Sequence, residues 1–323
     1  MKKFRIVMTG STWPDAYKKL QENCVIKQWE GEGPIPRDLL LQWLNDADGL
    51  FSTNDVKVDD ELLAAAPNLR VVVQSSVGYD NIDISACTRR GVPFGNTPGV
   101  LVDATADLTF GILLTAVRRI HEGWDIVKSG KWATEGVGHL FGQDMQGKTL
   151  GIVGMGAIGS AVSKRARAFG LNVLYYNRTK RSDEDILQVQ YASLNQLLEK
   201  SDFVIALVPL SEHSREMFGK EQFALMKRSA YFVNAARGGI VNTEALYQAL
   251  VNKEIAYAAL DVTDPEPIGA DHPLLTLPNI LITPHIGSAT YETRNRMANL
   301  SVDNLLAGLN GVAMPACVNP IQK

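Results

Sequence analysis

Residues 148–181 read KTLGIVGMGAIGSAVSKRARAFGLNVLYYNRTKR, and this stretch decides the fold. It predicts a strand over Thr149 to Val153, a glycine turn, a helix over Ala157 to Phe169 and a second strand over Val173 to Tyr176. The turn has the pattern G-x-G-x-x-G and consists of Gly154, Met155, Gly156, Ala157, Ile158 and Gly159. In this context the first glycine makes the tight turn, the second lets the backbone approach a pyrophosphate, and the third lets helix and strand pack closely. We therefore expect these six residues to bind a dinucleotide, with its pyrophosphate on the unpaired N–H groups that begin the helix.

The residues after the second strand concern the choice of cofactor. A turn that binds NAD usually has Asp or Glu here, which hydrogen-bonds the ribose 2′-hydroxyl. This chain has Asn177, Arg178 and Thr179 instead. An arginine and a hydroxyl would bind a 2′-phosphate that a carboxylate would repel, and a charge-assisted hydrogen bond of this kind is worth about 1.5–3 kcal/mol. We predict a preference for NADPH, with NADH as the weaker cofactor, and the alternative is a solvated basic turn that follows a basic helix.

Composition excludes several classes of function. The chain has 323 residues, of which 46% are apolar and 21% charged, so it can bury the cores of two ordinary domains. A net charge of −3 offers no basic surface for nucleic acid or an anionic membrane. The three cysteines are scattered and form no C-x-x-C motif, which argues against a disulfide framework or a metal site. We expect a cytoplasmic protein, because the sequence shows neither a signal-peptide pattern nor a membrane span.

The order of elements along the chain predicts an α/β fold with two doubly wound domains. Short β-rich runs alternate with helical patterns through the first hundred residues, a single long helix is predicted over Leu101 to Lys128, and the alternation later resumes. The glycine turn lies nearly halfway along the chain, so a whole domain precedes the cofactor domain. The residues after His285 are too few for a domain of their own. We therefore predict a Rossmann cofactor domain, 100–287, inserted into a flavodoxin-like substrate domain, 1–99 and 288–323, with a ligand cleft at the crossings.

Three successive strands of the predicted cofactor domain are followed by chemically useful side chains, which are Arg237, Glu266 and His285. The carboxyl ends of parallel strands meet at one edge of a sheet, so this placement favours catalysis although each residue alone would be read as a surface residue. In the reduction of a 2-oxo acid, hydride moves from a nicotinamide to the carbonyl carbon and the developing alkoxide takes a proton. His285 can supply that proton, and Glu266 on the other ring nitrogen would orient the imidazole and favour its protonated form. Arg237 can polarise the carbonyl and hold the substrate carboxylate in a bidentate grip.

Several motifs together resemble the D-isomer-specific 2-hydroxyacid dehydrogenase family, and most closely its glyoxylate/hydroxypyruvate reductase branch. Besides the glycine turn, they are the segments 234–238, 260–267 and 284–290, with 75–83 and 96–99 in the N-terminal part. The resemblance spans essentially the whole chain. It implies reduction of a small-molecule 2-oxo acid such as glyoxylate or hydroxypyruvate to glycolate or D-glycerate, with Arg237, Glu266 and His285 as the catalytic residues.

The resemblance also implies further binding residues. The backbone N–H groups of Val77 and Gly78 would bind the substrate carboxylate, and Ser288 would join Arg237 at the substrate. Asp261 would bind the carboxamide side of the nicotinamide. Beyond the glycine turn and the segment that follows its second strand, the implied cofactor positions are Thr105, Val208, Pro209, Ala235, Asp261 and Gly287. The family is typically dimeric through its cofactor domains, so residues 101–132 are the candidate homodimer interface.

Two alternatives stay open on the sequence. A 2-ketogluconate reductase, or another D-2-hydroxyacid dehydrogenase, would differ from a glyoxylate reductase only in the shape of its pocket. In a different class of protein, corepressors related to this family bind NAD(P) as a redox-sensing ligand and retain similar catalytic residues. Formate dehydrogenases resemble the same fold but have Gln where Glu266 stands, so the predicted acid–base pair argues against them.

Overall fold

The computed structural model describes residues 3–136, 138 and 140–321, and these residues form two compact units. One unit holds the chain up to Leu101 and again from Ala289 onward, and the other holds Val102–Ser288. The sequence-based boundaries, at 99–100 and 287–288, lie within two residues of these crossings. The second unit is therefore an insertion in the first.

Strands and helices alternate through both units. In the described part of the chain the strands are β1 Phe4–Met8, β2 Cys24–Gln28, β3 Gly49–Ser52, β4 Val71–Gln74, β5 Phe94–Gly95, β6 Thr149–Val153, β7 Asn172–Tyr176, β8 Gln190–Tyr191, β9 Phe203–Ala206, β10 Tyr231–Asn234, β11 Tyr257–Leu260 and β12 Ile280–Ile282. The helices of the same residues are α1 Pro14–Asn23, α2 Arg37–Leu44, α3 Asp60–Ala64, α4 Ile84–Arg89, α5 Val102–Val117, α6 Ile120–Lys128, α7 Trp132–Glu135, α8 Ala157–Ala168, α9 Glu184–Leu187, α10 Leu194–Lys200, α11 Lys220–Leu225, α12 Thr243–Val251 and α13 Tyr291–Leu309. None of these described helices combines the length and the apolar character needed to cross a membrane.

The prediction of one long helix over Leu101 to Lys128 is wrong, because the structure divides this stretch into α5 and α6. Arg119, between the two helices, has a left-handed backbone with a φ of 53°. The end of α5 is closed by residues far along the chain: Gln143 N donates to Val117 O at 3.1 Å, and a Cβ on Gly142 would lie 2.3 Å from the same carbonyl. Neither contact is visible in the spacing of apolar residues, so periodicity alone could not locate the break.

In the first unit, the described strands pair in parallel in the order β2-β1-β3-β4-β5. This 2-1-3-4-5 order is that of flavodoxin-like folds. Successive strand residues face opposite cores: Val72 packs with residues of α2, α3 and α4, whereas Val71 and Val73 pack with residues of α1 and α13. Helix α13 supplies Leu305 and Leu309 to that second core, so it completes a domain that the first hundred residues begin.

In the second unit, the described strands pair in parallel in the order β12-β11-β10-β9-β6-β7-β8. Counted from β6, this is the Rossmann order 3-2-1-4-5-6 extended by β12. One core contains residues of α5 and α8, and the core on the other face contains residues of α10, α11 and α12. Because every pairing is parallel, the segments that follow β6, β9, β10, β11 and β12 emerge at one edge of the sheet. The predicted fold class, a Rossmann domain inserted into a flavodoxin-like domain, is confirmed.

Candidate active site

The glycine turn between β6 and α8 is tightly packed at its first and third glycines and open at its second. Gly154 has a φ of 106°, and a Cβ there would lie 2.6 Å from the backbone of Leu207. A Cβ on Gly159 would lie 2.5 Å from Gly154 O. At Gly156 no described group beyond the neighbouring residues comes within 4 Å of the Cβ position, and no described side chain caps α8. This open face and the uncapped N–H groups fit the pyrophosphate of a dinucleotide.

Asn177, directly after β7, is tied to the glycine turn. Its Oδ1 accepts a hydrogen bond from Met155 N at 2.7 Å, and its Nδ2 donates to Met155 O at 3.3 Å. Arg181 donates to the same carbonyl at 2.8 Å and grips both carboxylate oxygens of Asp183. The hydrogen bond from Arg181 lowers the pKa of the Asp183 carboxyl below its usual value. Asn177 and Arg181 therefore brace the turn, a role that the sequence pattern alone does not indicate.

Arg178 and Thr179 are the residues of this segment that remain available to a cofactor. Both are exposed, and neither forms a hydrogen bond or ion pair with any residue that the structure describes. The next cation along the chain, Lys180, is already paired with Glu184 at 3.1 Å. Arg178 therefore presents a guanidinium that no acidic side chain of the described chain neutralises.

His285 and Glu266 lie in contact at the opposite side of the same sheet edge. His285 Nδ1 is 2.6 Å from Glu266 Oε1, and the two side chains are 34% and 41% exposed. Partial burial raises the pKa of Glu266, but the hydrogen bond and the charge of His285, helped by the charge of Arg237, outweigh it and hold that pKa below its usual value. Because Nδ1 is engaged by the carboxylate, Nε2 is the ring nitrogen that can meet a substrate.

The backbone around His285 is held by the carboxylate of Asp261, which directly follows β11 and is 2% exposed. Its Oδ1 accepts from Thr283 Oγ1 at 2.6 Å and from Ile286 N at 2.9 Å, and its Oδ2 accepts from Gly287 N at 2.8 Å. His285 itself has a φ of 52°, a left-handed backbone that a residue with a side chain adopts where its surroundings impose it. Both oxygens of Asp261 thus serve this turn, and its contact with a nicotinamide stays a prediction.

The loop that carries Arg237 is braced from behind by Asn234, the last residue of β10. The Asn234 side chain is 1% exposed and donates to Arg237 O at 2.8 Å. A Cβ on Gly238 would lie 1.9 Å from Thr263 O, so this glycine lets the loop pack directly against the loop that bears Glu266. The arginine and the imidazole–carboxylate pair are thereby gathered at one edge of the sheet.

Two groups of expected cofactor positions also lie together. A Cβ on Gly287 would be 3.1 Å from Asp261 Oδ2 and 3.4 Å from the methyl group of Thr105, so these three residues are neighbours. The backbone of Val208 lies against the glycine turn, since a Cβ on Gly154 would be 2.7 Å from Val208 N. Two further expected cofactor positions, Pro209 and Ala235, follow the ends of β9 and β10, and the expected substrate contact Ser288 follows β12.

The turn with Val77 and Gly78 belongs to the first unit and follows β4. Its carbonyl groups accept hydrogen bonds from residues of the same unit. Among the described residues no acceptor pairs with the N–H groups of Val77 or Gly78. Successive N–H groups of this kind form a concavity that can receive an anion.

Sequence reasoning missed the side chains that hold these turns, which are Gln74, Ser76, Arg181, Asn234 and Thr283. One signal was present in the sequence. Gln74 closes a run of three valines, and Asn234 closes the strand Tyr231–Asn234. A polar side chain that ends a buried strand has to satisfy its hydrogen bonds locally, so such residues are candidates for bracing the loop that follows.

A Rossmann sheet with an open glycine turn, and an imidazole–carboxylate pair beside an arginine at the same edge, define the class of nicotinamide-dependent oxidoreductases. Residues 110–287, more than half of the chain, match the model of the NAD binding domain of D-isomer specific 2-hydroxyacid dehydrogenases. The chain belongs to the D-isomer specific 2-hydroxyacid dehydrogenase family. It is therefore an NAD(P)-dependent oxidoreductase, and the predicted family and class are confirmed.

Relatives match over the full length of the chain. A glyoxylate reductase of Korarchaeum cryptofilum is 44% identical over 319 residues, which cover 98% of this chain and 96% of that protein. The crystal structure of a glyoxylate reductase from Paecilomyes thermophila has a TM-score of 0.88 at 31% identity and covers 98% of this chain and 99% of that one. The NADPH-dependent glyoxylate/hydroxypyruvate reductase of Sinorhizobium meliloti, in complex with NADP and malonate, has a TM-score of 0.89 at 31% identity and covers 100% and 99% of the two chains.

Proposed function

We propose that this protein reduces the small 2-oxo acids glyoxylate and hydroxypyruvate to glycolate and D-glycerate, with NADPH as its preferred cofactor. The observation that carries the proposal is the 2.6 Å contact between His285 Nδ1 and Glu266 Oε1, at the sheet edge that also bears the glycine turn. The relatives support the substrates, since one is a glyoxylate reductase 44% identical and another is named for both acids.

Proton transfer and substrate binding fall to the side chains at this edge. The chemistry that a nicotinamide cofactor would contribute when bound is hydride for the carbonyl carbon of the substrate. His285 carries a proton on Nε2 and donates it to the carbonyl oxygen as negative charge develops there. Glu266 accepts from Nδ1, which fixes the plane of the ring and leaves Nε2 for the substrate. Arg237 polarises the carbonyl and binds the carboxylate through parallel N–H donors, a geometry that a lysine would not match.

The substrate carboxylate is assigned to the N–H groups of Val77 and Gly78, with Arg237 and Ser288 as further substrate contacts. Two N–H groups without a partner among the described residues support this assignment, because an anion would satisfy both. The assignment concerns the part that all 2-oxo acids share, so it does not separate glyoxylate from a longer substrate such as 2-ketogluconate.

The preference for NADPH rests on Arg178 and its neighbours. Asn177 brings no negative charge to the end of β7, and its side chain is committed to Met155. Arg178 is exposed and finds no acidic partner within the described chain. A 2′-phosphate would supply the missing partner and would also be in reach of a hydroxyl at Thr179, whereas the 2′-hydroxyl of NADH would gain little from a cation.

We further propose that two copies associate through α6. Ile120, Trp124 and Val127 are 53%, 63% and 49% exposed, and their spacing places them on one face of that helix. The nearby Trp132 is 61% exposed. An apolar stripe of this kind is unusual on a free surface and is typical of an interface. The molar mass in solution, measured by light scattering, tests this proposal: a monomer at micromolar concentration contradicts it.

The first test of function is a set of initial rates with NADPH and NADH against glyoxylate, hydroxypyruvate, pyruvate and 2-ketogluconate. Turnover of the two small acids with NADPH is the expected result. Faster turnover of 2-ketogluconate would assign the protein to that substrate instead. Absence of turnover with every acid, together with measurable cofactor binding, would overturn the catalytic proposal in favour of a cofactor-sensing binding protein.

A further inference from the structure

A buried amide, Gln74, lies directly behind the turn proposed to bind the substrate carboxylate. Gln74 ends β4 after three buried valines and is itself 1% exposed. Burial of an amide is unfavourable unless its hydrogen bonds are made within the protein. An apolar side chain at this position would continue the core of the sheet at lower cost, so packing alone does not account for the glutamine.

Gln74 contacts the turn mainly through the hydroxyl group of Ser76, and its Nε2 also lies 3.1 Å from Gly78 O. Gln74 Nε2 lies 2.7 Å from Asn54 Oδ1 and 2.7 Å from Ser76 Oγ. An amide nitrogen has two hydrogens, so these two closest acceptors take both. The hydroxyl of Ser76, which accepts from Gln74, then donates to Gly78 O at 2.6 Å. On its other side Gln74 Oε1 accepts from Asn81 Nδ2 at 2.9 Å, which fixes the orientation of the amide.

All three carbonyl groups of the turn are held by donors of the same unit. Ser76 O accepts from Thr97 N at 2.8 Å, Val77 O accepts from Asn96 Nδ2 at 3.0 Å, and Gly78 O accepts from the Ser76 hydroxyl. In a planar trans peptide the C=O and the N–H of the next residue point in opposite directions. Holding the carbonyls of Ser76 and Val77 on the buried side therefore turns the N–H groups of Val77 and Gly78 to the other side.

We propose that Gln74 is a positioning residue, which sets the Ser76 hydroxyl and through it the backbone turn that receives the substrate carboxylate. This inference rests on the proposed function, because it takes the N–H groups of Val77 and Gly78 as the binding groups. Gln74 acts at a distance from the substrate, and its contribution is that the turn is already arranged before the anion arrives.

The amide is specifically required for this arrangement. Glutamate has the same shape as Gln74 but no hydrogen to donate, so Ser76 would turn its hydroxyl toward the new carboxylate and leave Gly78 O without its donor. Asn54 Oδ1 would then face another acceptor. Alanine at position 76 removes the hydroxyl itself while it leaves the amide in place. The two changes break the same chain of hydrogen bonds at different points, so their effects should not add.

The experiment compares Gln74→Glu, Ser76→Ala and the double variant with a matched control, Ser52→Ala. Ser52 is also buried at 1% and its hydroxyl lies 3.4 Å from Gln74 Oε1, but it makes no contact with the turn among the described residues. We expect the KM for glyoxylate to rise about tenfold in both single variants and no further in the double variant. The KM for NADPH should stay within about twofold, and Ser52→Ala should resemble the wild type. An unchanged KM for glyoxylate, or an equal rise in both constants, overturns the inference.

Hydrogen–deuterium exchange provides a readout that does not depend on turnover. A peptide that covers residues 94–99 contains Thr97 N, which donates to Ser76 O at 2.8 Å, and it should exchange faster in Gln74→Glu and in Ser76→Ala, while peptides from β1 and β3 keep wild-type rates. Absence of 2-oxo acid reduction by the wild type would refute the proposed function, and faster exchange confined to this peptide would still support Gln74 as the organiser of the turn. Unchanged exchange at 94–99, or faster exchange throughout the sheet, contradicts it.

Discussion

Two turns of this protein, one in each unit, are held by opposite kinds of hydrogen-bonding group, an acceptor in one and donors in the other. The turn that carries His285 is built on an acceptor, because the carboxylate of Asp261 takes two of its backbone N–H groups. The turn at residues 76–78 is built on donors, because the Ser76 hydroxyl, which Gln74 orients, and the amide of Asn96 donate to its carbonyl groups. Both central side chains are almost completely buried, and both stand at the carboxyl end of a parallel strand.

The difference decides what each turn can offer to a substrate. A turn whose N–H groups are used internally has none left for an anion, and here its contribution is a side chain, the imidazole of His285. A turn whose carbonyl groups are used internally presents its N–H groups, which suit an anion. The brace on the glycine turn is intermediate, since Asn177 both accepts from and donates to Met155. The polarity of the side chain that holds each turn thus matches the role proposed for that turn.

The largest effect is expected from removing the imidazole of His285, which lies on the turn held by the Asp261 carboxylate. In His285→Gln the proton donor is lost, so kcat should fall by about 10²–10⁴-fold, the usual contribution of general acid catalysis. The Kd for NADPH, from fluorescence titration, should stay within about twofold because the imidazole is not assigned to the cofactor. A loss of less than about tenfold in kcat would contradict the assignment.

Asp261→Asn tests whether the turn that carries His285 needs a hydrogen-bond acceptor at both carboxylate oxygen positions of Asp261. The amide nitrogen of asparagine would face one of the backbone N–H groups, which then loses its partner. A hydrogen bond to a charged group is worth about 1.5–3 kcal/mol, so kcat should fall by about one to two decades. If instead kcat is retained and only the KM for the cofactor rises, Asp261 serves the nicotinamide and the turn holds without it.

Arg178→Ala tests the glycine turn, where Asn177 holds the backbone and Arg178 is the proposed contact with the cofactor. The KM for NADPH should rise about tenfold, the lower end for a charged hydrogen bond because this arginine is exposed, and the KM for NADH should stay the same. Lys180→Ala is the matched control, since that neighbouring cation is already paired with Glu184. Parallel weakening of both cofactors would show that Arg178 does not read the 2′-phosphate.

The smallest effect is expected at Thr283, whose hydroxyl donates to Asp261 at 2.6 Å. Thr283→Val keeps the shape and removes this hydrogen bond, which should lower kcat roughly threefold to tenfold. Thr283→Ser keeps the hydroxyl and should retain activity close to that of the wild type. Similar losses in both variants would mean that the methyl group, and not the hydrogen bond, matters at this position.

The sequence predicts well those features of the fold that depend on short patterns of neighbouring residues. The G-x-G-x-x-G turn and the alternation of strands and helices locate both sheets, and β6 has the predicted bounds. The braces are invisible to such patterns because each joins residues well separated along the chain, such as Asn177 with Met155 or Asp261 with Gly287. A motif can thus indicate which residue stands at a turn, whereas the contacts that hold the turn depend on the folded sheet.

The place of α13 has a consequence for how the chain acquires its structure during synthesis. This helix supplies Val302, Leu305 and Leu309 to the core beneath β1, β3 and β4, yet it follows the whole of the second unit in the chain. At about 5–20 residues per second, ribosomes need roughly 10–40 s to add the intervening stretch. During that interval one apolar face of the first sheet is covered by α1 without α13, while the inserted Rossmann domain can already close. The domain translated first is therefore completed last, and its nascent sheet is the segment for which a chaperone would have most to protect.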